Sequence, residues 1–263
     1  MSGRAGRLRR VRGIASDTWL AVVRESFAPG IIAVGALASA GGWWWRDFNF
    51  GAAEARFLVD FGFGVQVLMG ALLALVLPAQ RFAAAVADQT AQGVIGRLVS
   101  RAEWVVGTTL GVTCVVAGFG VLSTLVVGVV AGAGPGLASI GGVAGIAVVG
   151  AMQLAKLMMI VAFSVFFASY GRGVVFTTVA GGLLILACHL RFLAEAGAGD
   201  VGWTCGVVIL LPDFQWYSGA RLLDLAAGEG LSGAALARWT GYACLYFGGF
   251  IGAAIWSFQR REF

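Results

Sequence analysis

Few side chains in this sequence are equipped for chemistry. There is one His, His189, one Lys, Lys156, and four Cys: Cys114, Cys188, Cys205 and Cys244. A single His excludes an H-E-x-x-H zinc hydrolase, and no Ser sits in a G-x-S-x-G elbow. No G-x-x-x-x-G-K-[ST] loop occurs, so the chain has no P-loop to cradle ATP phosphates. The Cys form no C-x-x-C pair, which leaves neither zinc spacing nor a disulfide framework, and three of them lie in apolar runs as small hydrophobes. No catalytic residue, metal ligand or bound cofactor is expected. A membrane-embedded enzyme acting on lipid or isoprenoid substrates would need acids clustered at one face, and here they are spread through polar loops.

Lys156 is the exception that demands a partner. It lies near the middle of an apolar run, with Gln153 one turn earlier on the same helical face. A central Lys costs about 2.5–3.5 kcal/mol to insert, and the apolar residues of the run return on the order of 5 kcal/mol on the same scale. The helix therefore inserts, and Lys156 faces the bundle or a wet cavity. Gln153 and Lys156 form a candidate substrate path. They contact an anionic substrate or gate it, or Lys156 is a structural partner for a carbonyl or polar side chain. His189 and Arg191 end another apolar run, where interfacial snorkelling accounts for them.

The elements that position these residues follow from composition. The 263 residues are 59% hydrophobic and 12% charged, with a net charge of +5. Mean hydropathy is +0.89. A water-soluble domain carries roughly 25% charge, so this chain is an integral membrane protein. The expected fold is all-α. Apolar runs predict six transmembrane helices at about 30–45, 61–77, 105–131, 140–167, 174–190 and 242–258, in one transmembrane domain over residues 1–263. Gly pairs at four-residue spacing, Gly107/Gly111, Gly141/Gly145 and Gly248/Gly252, are candidate helix contacts.

The polar segments give the topology. Residues 1–13 read as a mobile basic tail, whose Arg4, Arg7, Arg9, Arg10 and Arg12 suit anionic lipid and not nucleic acid. Residues 14–27 place Ile14, Trp19, Leu20, Val23 and Phe27 at near-helical spacing, an amphipathic helix that Pro29 ends. Trp43, Trp44 and Trp45 belong at a lipid–water boundary. The basic bridge 81–101 separates the second and third runs and reads as a short surface helix, a natural contact for a soluble motor domain, with Val94, Ile95 and Leu98 on one face and Asp88, Gln89, Gln92, Arg97 and Arg101 on the other. Arg is richer in the segments that share a side with the termini, so both termini and the bridge are expected in the cytosol. The region 191–240 is external. It holds a short apolar piece, Trp203–Leu211, and LPDFQWY, Leu211–Tyr217, read as an anchored turn or a substrate lip.

The bridge reads DQTAQGVIGRLVSRAEWVVGTTLG. It resembles the segment E-x-G-T-x-x-x-L-L-x-x-P-V-S-R-x-E-x-x-x-G-K-x-x-G of ABC-2-type transporter permeases. The matches are Asp88, Thr90, Val99, Ser100, Arg101, Glu103, Gly107 and Gly111; Gln89, Leu98 and Thr108 depart from it. The amphipathic helix before the first run, L-P-x-F-Q after the fifth, the six-span order and the terminal Arg260–Phe263 fit the same family. The resemblance implies a transmembrane permease subunit of an ABC exporter in the bacterial inner membrane, with residues 14–27 as the elbow helix. Asp88, Thr90, Arg97, Ser100, Arg101 and Glu103 would form the ATPase-coupling site. Partners implied are two copies of an ABC ATPase, in which ATP and Mg are bound, and a second permease of the same or a related kind. A non-transporting subunit that relays ATPase motion to an assembly or motility machine is the alternative. The substrate stays open.

Overall fold

A chain with this many apolar residues must satisfy its backbone polar groups internally once in lipid, and helices do that within a single segment. The computed structural model describes residues 2–25, 27–48, 54–87, 99–133, 136–170, 173–191, 211–227 and 232–260. Its α-helices, in chain order, are α1 (Ser2–Arg24), α2 (Phe27–Gly41), α3 (Glu54–Ala87), α4 (Arg101–Gly132), α5 (Gly142–Tyr170), α6 (Val174–His189), α7 (Gly219–Ala227) and α8 (Gly233–Gln259). Short 3-10 helices cover Gly42–Phe48, Leu137–Ile140 and Phe214–Tyr217. Among the described residues five stretches are long and apolar enough to cross a membrane: Phe27–Trp45, Glu54–Ala85, Arg101–Gly132, Gly142–Tyr170 and Gly233–Gln259. The expected span 174–190 corresponds to α6, an apolar helix of 16 residues. At 1.5 Å per residue it is about 24 Å long, against about 30 Å of hydrocarbon.

Helix α5 is the centre of the bundle. Of its most apolar window 67% is buried, against 17% for α8 and 22% for the α2 stretch. Helices α3, α4, α6 and α8 all pack on it. Gly70 of α3 lets Leu157 of α5 approach so closely that a Cβ there would lie 2.6 Å from the Leu157 side chain. Phe250 of α8 meets Phe163 of α5 edge to face, with centroids 4.5 Å apart. At one end of the bundle Phe82, Trp104 and Phe258 form a trio that joins α3, α4 and α8, with Trp104 stacked on Phe258 at 5.2 Å.

Three sequence expectations need correction. The second span does not stop near Leu77, because α3 continues through Pro78 to Ala87. A helix-interior proline removes a hydrogen bond and disturbs the preceding turn. The Ser164 hydroxyl of α5 donates to the Leu75 carbonyl in that turn at 2.7 Å, the kind of side-chain support that lets membrane helices keep proline. Residues 81–87 are therefore the last turns of α3, and Arg101 already opens α4, so both ends of the bridge 81–101 belong to long helices. Residues 88–98 lie outside the described residues.

The N-terminus is the second correction. The basic residues are not a tail, because α1 begins at Ser2 and ends at Arg24. Pro29 sits in the first turn of α2, where a missing N–H breaks no helical bond. The reason is a dock on α4. A Cβ at Gly107 would lie 2.7 Å from Ile14 and 3.1 Å from the Val11 carbonyl, and one at Gly111 2.6 Å from Thr18 and 2.8 Å from the Ala15 carbonyl. The buried side of α1 carries Thr18 and Val22, while Trp19, Leu20 and Val23, expected on one stripe with Ile14, are exposed. Arg10 closes the dock with two bonds to Glu103, from Nη2 at 2.9 Å and Nε at 3.2 Å. Arg81 of α3 pairs with Glu25, just past α1, at 2.6 Å.

The Gly pairs are the third. Gly107/Gly111 is a contact between two long helices, and Gly141 and Gly145 face Ala226 of α7, with Cβ positions 3.2 and 3.5 Å from its Cβ. Gly141 has φ +78° and Gly142 φ +67°, so the turn into α5 needs glycine for its left-handed backbone. A Cβ at Gly248 or Gly252 would meet nothing within 4 Å. Gly111→Leu should therefore displace α1 and destabilise the protein by about 1–3 kcal/mol or more, whereas Gly248→Leu should leave it unchanged. Thermal unfolding of the two detergent-purified variants checks the contrast.

Candidate functional site

The residues expected to couple to an ATPase divide in two. Asp88, Thr90 and Arg97 lie outside the described residues. Ser100, Arg101 and Glu103 are described, and each is committed to its own chain. Ser100 is the N-cap of α4: its hydroxyl accepts from the Glu103 N–H at 3.2 Å, and Glu103 accepts from the Ser100 N–H at 3.0 Å. This reciprocal capping box satisfies two of the helix's free N–H groups. Glu103 also receives Arg10, with Arg7 at 3.9 Å. It stands ahead of the apolar part of α4, and the Arg10 bonds, then the Ser100 N–H, pull its carboxyl down to about 2. Arg101 donates to the Gln259 carbonyl at the end of α8 at 2.8 Å. The motif S-R-x-E is thus a junction of α1, α4 and α8.

The polar groups of the bundle gather elsewhere. A cavity of about 630 Å³ lies among α3, α5, α6 and the Phe214–Tyr217 turn. Both Gln153 and Lys156 line it, and they are only 3% and 5% exposed. The Lys156 ammonium lies 2.9 Å from Nε2 of His189. Nδ1 of the same ring is 2.9 Å from the Ile185 carbonyl one helical turn back. A carbonyl can only accept, so Nδ1 carries the proton and Nε2 presents a lone pair to the ammonium. Lys156 also sits 5.2 Å from the centroid of Phe214, a cation–π contact. Among the described residues no carboxylate lies within 4.0 Å of it. The Oε1 of Gln153 is buried without a hydrogen-bond partner.

His189 is therefore not a snorkelling residue. It turns inward because α6 ends at the depth of Lys156, where its last turn brings the ring to the ammonium. Phe214 belongs to the same cluster. It is 1% exposed, meets His189 edge to face at 5.3 Å and stacks on Phe163 of α5 at 6.2 Å. LPDFQWY is thus a turn anchored in the bundle, with Phe214 and Tyr217 buried. Asp213 caps this turn by accepting from the Gln215 N–H at 2.9 Å, and the fully buried Tyr217 donates to the Trp239 carbonyl of α8 at 2.7 Å. A second cavity of about 510 Å³ lies behind it, lined by Trp216, Trp239, Tyr242 and Tyr246 with Arg191 and Arg238. Arg191 donates to the Leu211 carbonyl at 2.6 Å. Apart from Leu211, the apolar piece 203–211 is outside the described residues.

Spacing alone found Gln153 and Lys156, which are one turn apart. It missed His189 and Phe214, which come from other segments. The one available signal was that an intramembrane Lys needs a lone pair or a ring, and this chain has one imidazole. Among the described residues no group of three His, Cys, Asp or Glu is placed to hold a metal ion.

Two outcomes follow. Phe214→Ala should empty the space between Lys156 and Phe163, cost about 3–5 kcal/mol and lower the thermal midpoint in detergent. Glu103→Gln should release α1, with its amides exchanging roughly tenfold faster while α5 stays protected, because bonds to charged groups are the stronger ones. The Glu103 carboxyl is depressed in the folded state, so its contribution is complete above the ordinary carboxylate range and disappears as pH falls through about 2. Protection factors of α1 in the unaltered protein should accordingly be constant from about pH 8 to pH 5, measured by hydrogen exchange with mass spectrometry.

No family model and no curated protein matches this chain.

Proposed function

We propose that this chain is the transmembrane permease subunit of an ATP-binding-cassette exporter, with the polar cavity around Lys156 as part of its substrate path. The observation that carries this is the cavity itself. A cation, an imidazole and an unpartnered amide oxygen are held inside an apolar bundle, and intramembrane ionisable groups are kept where something polar passes or binds. The order of elements supports the same conclusion. An amphipathic N-terminal helix, α1, docks on α4, and a basic polar segment separates α3 from α4.

In this proposal α6 is a short sixth crossing whose outer end is completed by the returning Phe214–Tyr217 turn. Both termini face the cytosol of a bacterial inner-membrane protein. ATP and Mg bind to two copies of a separate ATPase, and a second permease completes the transporter. One nucleotide state of the ATPases binds one arrangement of the bundles more tightly and shifts the population. The coupling contact falls on Asp88, Thr90 and Arg97, because Ser100, Arg101 and Glu103 already hold α1, α4 and α8 together.

The test is co-purification with the ATPase and a transport assay on the reconstituted complex. Asp88→Lys combined with Arg97→Glu should leave insertion and ATP hydrolysis intact and reduce transport at least tenfold, since reversing both charges turns attraction into repulsion of several kcal/mol. Undiminished transport, or labelling of Thr90 from the periplasm only, would refute the coupling assignment.

A further inference from the structure

The Lys156 cavity has features that choose among ligands. Its ammonium keeps two N–H donors beyond the one directed at His189. Its two partners in the fold, a neutral imidazole and a phenyl ring, bring no formal negative charge. Beside it the Gln153 Oε1 is buried and unpartnered. A ligand that supplies an anion to Lys156 and a hydroxyl or N–H to Gln153 satisfies both groups at once.

The wall of the cavity runs along α3 from Asp60 to Ala71, about 17 Å at 1.5 Å per residue. Between these ends it is lined by Phe63 and Val67, and Ile185 of α6 faces them across the space. Helices α3 and α6 touch at Leu75 and Gly181, where a Cβ would lie 2.6 Å from the Leu75 side chain. Further along α3, one turn apart, Gly64 has nothing within 4 Å of its Cβ position and Leu68 is 59% exposed. These two residues border the cavity and also face outward from the bundle, so the cavity opens sideways at apolar depth. One acid, Asp60, stands near Gln153, since a Cβ at Gly219 would lie 3.6 Å from both the Asp60 Oδ1 and the Gln153 Nε2; Arg56 is 3.9 Å from Asp60 and pairs more closely with Asp224, at 2.7 Å. A volume of about 630 Å³ lies within the range of about 300–1,000 Å³ that holds drug-sized ligands.

We propose that this cavity binds an anionic amphiphile taken from the bilayer: its acidic headgroup on Lys156, a headgroup hydroxyl on Gln153, and its chain leaving between α3 and α6 past Gly64 and Leu68. As a substrate class this rests on the permease proposal; as a binding site it does not.

The experiment uses the full chain in phosphatidylcholine nanodiscs without any ATPase. Its probe is a diazirine-tagged lysophosphatidic acid, compared with lysophosphatidylcholine carrying the same tagged chain. The acidic probe should crosslink to peptides containing Leu68 and Ile185, roughly tenfold more than the zwitterionic one, as expected for a charge-assisted contact. Lys156→Gln should abolish that preference and Lys156→Arg should retain it. Unlabelled lysophosphatidic acid should compete, while glycerol 3-phosphate, with the same headgroup and no chain, should not. Equal labelling by both lipids, labelling centred away from α3 and α6, or a preference that survives Lys156→Gln overturns the proposal. Competition by glycerol 3-phosphate as strong as by the lipid overturns the amphiphile and leaves a free phosphate ligand. Should Lys156→Gln fail to accumulate, the label map and the headgroup comparison on the unaltered protein still decide. An ATPase that never co-purifies would remove the permease proposal and leave the labelling result standing.

Discussion

An ammonium ion in an apolar bundle has to be surrounded before the bundle can close, and much of one end of this protein follows from that requirement. Lys156 obtains a lone pair from His189 and a ring face from Phe214. The first fixes where α6 must end, and the second fixes where the chain must come back. Phe214 then stacks on Phe163, and Tyr217 reaches the backbone of α8. The short α6, the buried turn and the placement of α8 are therefore parts of one solvation shell. The shell is incomplete on one side, and that side is the cavity.

The opposite end of the bundle is organised by a different balance. Here charges lie where water can reach them, and their worth is in geometry more than in energy. Glu103 caps α4, receives Arg10 and so aligns α1 with the Gly107–Gly111 groove. Arg101 reaches the last turn of α8, and Arg81 reaches Glu25. The ends of four helices are thereby tied together.

How much of this was legible in advance depended on the range of the interactions. Periodicity and hydropathy act within a segment, and the spans of α4 and α5 came out close to their observed bounds. Lys156 with Gln153 was legible for the same reason, since helical spacing puts them on one face. His189 was misread because its partner is 33 positions away, and an imidazole at the end of an apolar run looks the same whether it faces in or out. The expected second run ends at 77, before Pro78, because the hydroxyl that supports that turn, Ser164, belongs to another helix. The basic N-terminus looks mobile in sequence because its counter-charge, Glu103, also caps a helix. That second duty is visible in the S-R-x-E pattern; the tertiary one is not.

The dock of α1 also constrains the order in which the chain is made. Arg10 and Glu103 are separated by 93 positions, so α1 leaves the ribosome well before the groove that receives it exists. At ordinary translation rates of about 5–20 residues per second the interval is roughly 5–20 s. During that time α1 has no groove to dock in, and Trp19, Leu20 and Val23 are not the residues it later buries there. The same three residues stay exposed after docking. Docking thus fills the Thr18–Val22 side of the helix and leaves an apolar side uncovered.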